Sequence, residues 1–243
     1  MSDDLSRALT EGDDPMQPRR RGLVIAIDGP SGAGKSTVGR ALAERLGYTF
    51  LDTGSMYRAV ALRAMRDELD LDSERAIADL AERCDIELLE CGRRVLLDRE
   101  DVTAAIRTRA VSAAASRISV HPSVRRNMVA RQRRMGEGGG VVADGRDIGT
   151  VVFPGAELKV FLDADPAQRA VRRQRELVAA GVDAPLAEVE RETRERDLSD
   201  STRDASPLQA APDSIRVDTT ALSPGAVLQL LLGLVASRLG CEE

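Results

Sequence analysis

Short apolar runs alternate with helical spacings along most of the chain. Leu23 to Ile27 is unbroken, carries β-branched residues and stops at Asp28-Gly29-Pro30, which predicts a buried parallel strand. Val38, Leu42 and Leu46 then recur at helical spacing, predicting a helix over 36–46 that Gly47 ends as its C′ residue. Tyr48 to Leu51 predicts a second strand. Helices are predicted over 55–67 and from Asp72 or Ser73 to Cys84. The pattern then changes: Ile86 to Leu89, a turn at Cys91-Gly92 and Val95 to Leu97 predict a hairpin rather than another crossover unit. A small β insertion is therefore placed at 84–103. Helices are predicted over 103–118 and 122–135, before Gly138-Gly139-Gly140 breaks the chain. Val141 to Ala143 and Leu158 to Leu162 predict strands ending at Asp144 and Asp163. Helices over 166–179 and 186–197, a short strand over 214–217 and an apolar-faced helix over 224–239 complete the series, with no internal repeat.

Five apolar strands separated by helices imply an α/β fold whose parallel sheet is covered on both faces. Ligands of such sheets bind at the carboxyl ends of the strands. Asp28, Asp144 and Asp163 are thus expected at one working edge, although Asp163 fits a plain turn-forming role equally well.

Composition narrows the possible partners. The chain has 243 residues, 42% apolar and 31% charged, enough for one packed core with a smaller lobe. Net charge is −5, and its acid is concentrated at one end. Asp3, Asp4, Glu11, Asp13 and Asp14 face only Arg7 in the first 18 residues, so the rest is nearly neutral. That stretch has too few apolar side chains to offset its ordering entropy. Residues 1–22 read as a flexible acidic tail before a core spanning 23–243. With no Trp, two Tyr and three Phe, a base-stacking platform is not expected, so neither DNA nor RNA is an expected partner. The single histidine, His121, excludes an HExxH site and reads as a cap or loop residue. Three cysteines form no metal-spaced cluster and no paired framework. No run of eighteen apolar residues predicts a membrane helix, and the polar start does not read as a signal peptide. A cytoplasmic location is expected.

The most specific signal follows the first strand. Gly29, Pro30, Ser31, Gly32, Ala33, Gly34, Lys35 and Ser36 match the phosphate-loop pattern in full, between an apolar strand and a helix. Glycines let backbone N–H groups curl around a β-phosphate, and the helix N-terminus adds its dipole. Lys35 suits the β- and γ-phosphates, and the Ser36 hydroxyl suits Mg²⁺. Thr37 stands where a dinucleotide fingerprint needs its third glycine, so the loop is read as holding a nucleoside triphosphate rather than NAD.

The loop does not identify what receives the phosphate. No Asn-Lys-x-Asp segment for a GTPase is present. Arginines are abundant: Arg58, Arg125, Arg126, Arg146, then Arg169, Arg172 and Arg173 at i, i+3, i+4, then Arg191, Arg194, Arg196 and Arg203. A reaction joining two phosphorylated substrates needs positioned cations around the transferred group. The 169–203 set also fits a solvated helical face, with Glu176 paired to Arg172 or Arg173.

Five segments carry a resemblance. Ile27 to Thr37, Leu51-Asp52-Thr53-Gly54-Ser55-Met56-Tyr57-Arg58, Ile106-Arg107-Thr108 and Ala143-Asp144-Gly145-Arg146-Asp147 through Pro154 resemble the bacterial cytidylate kinases, as does Glu195-Arg196-Asp197 with Asp200 and Arg203. The resemblance runs from about residue 23 to 240. It implies a phosphate-loop nucleoside-monophosphate kinase fold, transfer of phosphate from ATP to CMP or dCMP with Mg²⁺, and a monomer. It also implies a monophosphate-binding lobe over about 54–135 and a helical lid over about 166–182. Carried over by motif, Asp52, Thr53, Tyr57, Arg58, Arg107 and Arg146 would surround the CMP phosphate and sugar. Ser116, Arg125 and Asp147 would read the base, and Arg196, Asp200 and Arg203 would line the acceptor cleft. Asp147 also fits a plain cap after Gly145. Lys35, Arg146, Arg172, Arg173 and Asp144 form the candidate catalytic set, Asp144 as a strand-end acid able to orient metal-bound water. A kinase for UMP, AMP or shikimate, or a regulatory nucleotide-binding module without turnover, remains open on the residues alone.

Overall fold

The computed structural model describes residues 22–179 and 181–240, so the tail read over 1–22 lies, except for Gly22, outside the described residues. In chain order the first elements are β1 (Val24–Asp28), α1 (Lys35–Leu46), β2 (Thr49–Asp52), α2 (Thr53–Arg66) and α3 (Glu74–Arg83). Next come β3 (Ile86–Leu89), β4 (Arg94–Leu97), β5 (Glu100–Asp101), α4 (Arg109–Ile118) and α5 (Pro122–Gly136). The chain continues through β6 (Val141–Gly145), β7 (Leu158–Asp163), α6 (Pro166–Ala179), α7 (Leu186–Thr202), β8 (Ile215–Asp218) and α8 (Pro224–Leu239).

The main sheet is parallel, in the order β2-β6-β1-β7-β8. All five residues of β1 and of β6 are buried, as expected of central strands with helices on both faces. On one face, Ile25, Ile27, Phe50 and Leu162 pack with Leu42 of α1 and Leu231 of α8. On the other, Ala26, Leu51 and Ala143 pack with Met56 and Val60 of α2 and Met128 of α5. From β1 the chain crosses to β2 on one side, returns through β6 beside β1, and then passes to β7 on the other side of β1. That reversal opens a crevice at the carboxyl ends of the strands.

Three departures from the sequence reading have local causes. The predicted hairpin has a third strand: β5 pairs with β4 through Leu96 with Asp101 and Leu97 with Glu100. Two residues with polar side chains carry no apolar period to betray it. The turn after β3 holds Glu90, Cys91 and Gly92 at positive φ, and a Cβ on Gly92 would stand 2.9 Å from the Phe50 ring. Arg40 of α1 reaches across to donate to the Cys91 and Gly92 carbonyls, at 3.1 Å each. A π-helical turn spans Ile148–Val152, and the buried Asp28 carboxylate accepts the Ile148 and Gly149 N–H groups at its start (2.8 and 2.7 Å). Burial pushes the Asp28 carboxyl up to about 6 despite these two bonds. Finally, the 103–118 helix is broken at Thr108, whose side chain caps α4 after a short 3₁₀ turn at Ala105–Arg107.

His121 is the N-cap residue of α5, and its Nε2 lies 2.8 Å from the Leu71 carbonyl. Among the described residues no helix is long and apolar enough to cross a membrane.

Candidate active site

Phosphate-loop geometry begins with Gly29, whose φ of 146° and 1.9 Å distance from a notional Cβ to the Leu162 carbonyl oxygen admit no side chain. Gly34 is left-handed (φ 91°) and sits immediately before α1, so the loop's N–H groups meet the positive end of a helix dipole. Ser31, Gly32, Gly34, Lys35, Ser36 and Thr37 line a cavity of about 440 Å³. Gly29, Pro30 and Ala33 form the loop's rear. Pro30 presents its carbonyl to Lys35, and Ala33 accepts from the Thr219 hydroxyl.

Charge inside this cleft is strongly perturbed. Lys35 donates from Nζ to the Pro30 carbonyl at 2.7 Å. Burial first, then the neighbouring Arg146, lowers its ammonium to about 7. Ser36 Oγ donates to Asp144 Oδ2 at 2.5 Å. Burial and the charge of Asp52 push the Asp144 carboxyl up to about 7. Asp52 lies opposite Asp144 in the β2–β6 register. Burial would raise Asp52 too, but Arg58 and the two hydrogen bonds from Ser55 hold it below the usual carboxylate range. Hard oxygens on Ser36 and Asp144 beside a triphosphate loop fit Mg²⁺, which is commonly held by few protein ligands plus phosphate. Among the described residues no group of three acidic, Cys or His side chains forms a self-sufficient metal cage.

The same cavity continues onto arginines. Arg40, Arg58, Arg107, Arg146, Arg173 and Arg196 line it. Arg146 donates to Asp200 Oδ2 at 2.8 Å, and Arg203 donates to Asp200 Oδ1 at 3.3 Å. Burial, then Arg146, lowers Arg196 to about 10. Arg125 donates to Asp147 Oδ2 at 2.5 Å within a buried pair and lies over the Tyr57 ring, 5.6 Å from its centre. The Nε–H groups of Arg58, Arg125 and Arg196 and the Nη2 of Arg203 are buried without a protein partner. Buried donors left in this state are costly unless a ligand accepts from them. An anion is the ligand such a cluster suits.

Several expected residues stand elsewhere. Arg172 does not line the cavity: it donates to the Gly32 and Thr219 carbonyls, at 3.5 and 2.6 Å, and to the Thr219 hydroxyl at 3.1 Å, behind the phosphate loop. Adjacent residues on a helix point about 100° apart, so Arg173 faces the cleft, paired with Glu176, while Arg172 cannot. Arg172 is therefore corrected from a catalytic candidate to a support of the loop. Arg169 is likewise buried as a strut, bonded to the Ser31 carbonyl and to Asp197. Of the three strand-end acids, only Asp144 lines the cleft. Asp28 caps the π turn, and Asp163 accepts the N–H of Ala164. Thr53 donates its hydroxyl to the Asp144 carbonyl at 2.7 Å. Ser116 turns its hydroxyl back to the Ser112 carbonyl and lines an adjoining cavity of about 410 Å³, making no hydrogen bond to Arg125 or Asp147. Arg40 and Glu176 were not expected. The i, i+4 step from Ser36 to Arg40 was the available signal for the first.

A nucleoside triphosphate on the loop and a second anion on the arginines would share one cleft, which defines a phosphate-loop nucleotide-binding protein of the phosphotransferase class. The family model for cytidylate kinase matches residues 25–237. A cytidylate kinase of Geobacillus kaustophilus is 47% identical over 223 residues, covering 91% of this chain and all of the relative. Another, of Solibacter usitatus, is 49% identical over 222 residues, covering 90% and 95%. The cytidylate kinase of Bacillus subtilis is 46% identical over 218 residues, covering 89% and 97%. The chain belongs to the cytidylate kinase family.

Proposed function

We propose that the chain transfers the γ-phosphoryl group of ATP to CMP or dCMP, giving ADP and CDP or dCDP. The observation that carries this reading is the single cleft in which the phosphate loop meets Arg58, Arg146 and Arg196. Lys35 and the loop N–H groups hold the triphosphate, with Ser36 the ligand for its Mg²⁺ and Asp144 orienting that hydroxyl. The ion neutralises charge on the β- and γ-phosphates when bound. Arg58, Arg107 and Arg146 bind the acceptor phosphate, and Asp200 with Arg196 and Arg203 holds the sugar. The acceptor oxygen is already an anion, so positioning and charge stabilisation suffice and no general base is required. All of these residues come from one chain, so the reading needs only a monomer. Residues 166–182 serve as a lid, with α6 carrying Arg173 over the loop. Ala180 within that range lies outside the described residues.

Steady-state ADP release measured with CMP, dCMP, UMP, AMP and shikimate tests the reading. CMP and dCMP are expected to be the preferred acceptors by at least tenfold in kcat/KM. Preference for another acceptor, or nucleotide binding without turnover, would overturn it.

Base choice follows from the Arg125–Asp147 pair. Arg125 occupies Oδ2 of Asp147, leaving Oδ1 to accept from the cytosine N4 amine. Uracil presents an acceptor at that position and is repelled. Asp147→Asn is expected to lower the CMP-to-UMP ratio of kcat/KM by about tenfold or more, the scale of a 1–3 kcal/mol contact. Equal loss on both substrates would show that Asp147 supports the shared site instead.

A further inference from the structure

The first turn of α2 contains a relay that the acceptor site does not explain by itself. Ser55 is 1% exposed. Its hydroxyl donates its one proton to Asp52 Oδ2 at 2.6 Å and accepts from Arg58 Nη2 at 2.7 Å. Direct contact between the same Arg58 nitrogen and Asp52 Oδ2 is much longer, 3.5 Å. Most of the anchoring of Arg58 therefore passes through the serine oxygen. Gly54 completes the cradle: a Cβ there would stand 3.3 Å from Arg58 Nη1 and 3.4 Å from Asp52 Oδ1. The guanidinium lies back over the helix start, while its Nε–H has no protein partner.

These contacts separate two roles within one turn. Asp52 Oδ1 caps α2 through the Ser55 backbone N–H at 2.8 Å, which any residue at position 55 would supply. The hydroxyl adds nothing to that cap. Its donor is spent on Asp52 and its lone pair on Arg58, so it fixes the guanidinium plane. We infer that Ser55 is a positioning residue for the acceptor phosphate: it holds the Arg58 guanidinium in one orientation at the wall of the cleft, where it can donate to the phosphate. This inference rests on Arg58 being a ligand of that phosphate.

The test is a double-mutant cycle on the full-length chain, with CMP as the varied acceptor at saturating Mg·ATP and then with ATP as the varied substrate. Ser55→Ala keeps the backbone cap but removes one hydrogen bond from the buried Asp52 carboxylate, so it is expected to fold with a thermal midpoint lowered by a few degrees at most. It should raise KM for CMP about tenfold, the scale of one net hydrogen bond, and leave KM for ATP within twofold. In an Arg58→Ala background, adding Ser55→Ala should change kcat/KM for CMP by less than twofold, because nothing remains to be positioned. A full tenfold loss in both backgrounds, or equal loss on CMP and ATP, would overturn the inference in favour of a structural role. If Arg58→Ala lowers kcat/KM for CMP and Ser55→Ala alone does not, the inference fails while the phosphate assignment stands. If Arg58→Ala itself leaves kcat/KM unchanged, the assignment of Arg58 fails and takes the inference with it.

Discussion

Lys35→Ala is expected to lower kcat by about 30- to 1,000-fold without lowering the thermal midpoint of the nucleotide-free protein. The first part follows from its place at the triphosphate. Removing one preorganised charge from a transition state costs roughly 2–4 kcal/mol. The second part follows from the cost of that preorganisation. The ammonium is buried beside Arg146 and Arg196, and its acidity is raised until it titrates near 7. The hydrogen bond to the Pro30 carbonyl and the nearby carboxylates of Asp144 and Asp200 offset this only in part. Alanine loses that bond and relieves the repulsion. Calorimetry and steady-state kinetics on the same preparation check both statements. A folded variant with near-wild-type kcat would remove Lys35 from the chemistry. A fall in kcat matched by a large fall in midpoint would make it a structural residue.

The opposite charge in the same cleft is expected to behave in a complementary way. Asp144→Asn should reduce kcat by about 10- to 100-fold, the usual cost of removing a group that orients a metal ligand. It should also raise the thermal midpoint of the nucleotide-free protein at pH 8 by several degrees. Burial and Asp52 raise the Asp144 carboxyl from an ordinary 3.8 to about 7. A raised acid is neutral in the folded chain where it is already ionised in the unfolded one. The folded state therefore binds the extra proton, and stability is lost as pH rises from about 4 through about 7. At pH 8 the full penalty is present, with an upper bound of about 4 kcal/mol for roughly three pKa units. At pH 5 most of it is gone, so the advantage of asparagine should shrink there. Scanning the midpoints of both proteins from pH 5 to pH 8 reads this directly. A constant difference across that range would show that Asp144 is not the group that titrates.

Burial penalises the charged form of both Lys35 and Asp144. On the proposed reading, Lys35 would face phosphate oxygens and the Ser36–Asp144 pair would face the metal. The groups that are least comfortable in the empty cleft are those that the polyanion and its metal would satisfy. The buried, partnerless N–H groups of Arg58, Arg125, Arg196 and Arg203 extend the same logic to the acceptor.

The sequence by itself determined the features that arise from near neighbours along the chain. The apolar runs at 23–27 and, apart from Lys159, 158–162 predicted strands buried on two faces, and they are β1 and β7, displaced by at most one residue at each end. The glycines of 29–34 had to curl ahead of a helix, because all three take positive φ and Gly29 also lies against β7, where a side chain has no room. Arg146 stood out because it follows a strand end, whereas Arg58 and Arg196 were assigned by the resemblance of their motifs to a known family. What a side chain meets across space is not written in local spacing. Arg172 and Arg173 are equivalent in the sequence, yet β8's following loop captures one and the cleft receives the other. Asp28 and Asp144 both end strands, but the π turn offers two free N–H groups to the first and Ser36 offers a hydroxyl to the second. Two polar residues became β5 only because β4 presented an unpaired edge. In each case the deciding partner lies tens of residues away or on another element. A charged side chain takes its role from whichever partner the packed backbone brings within about 3 Å.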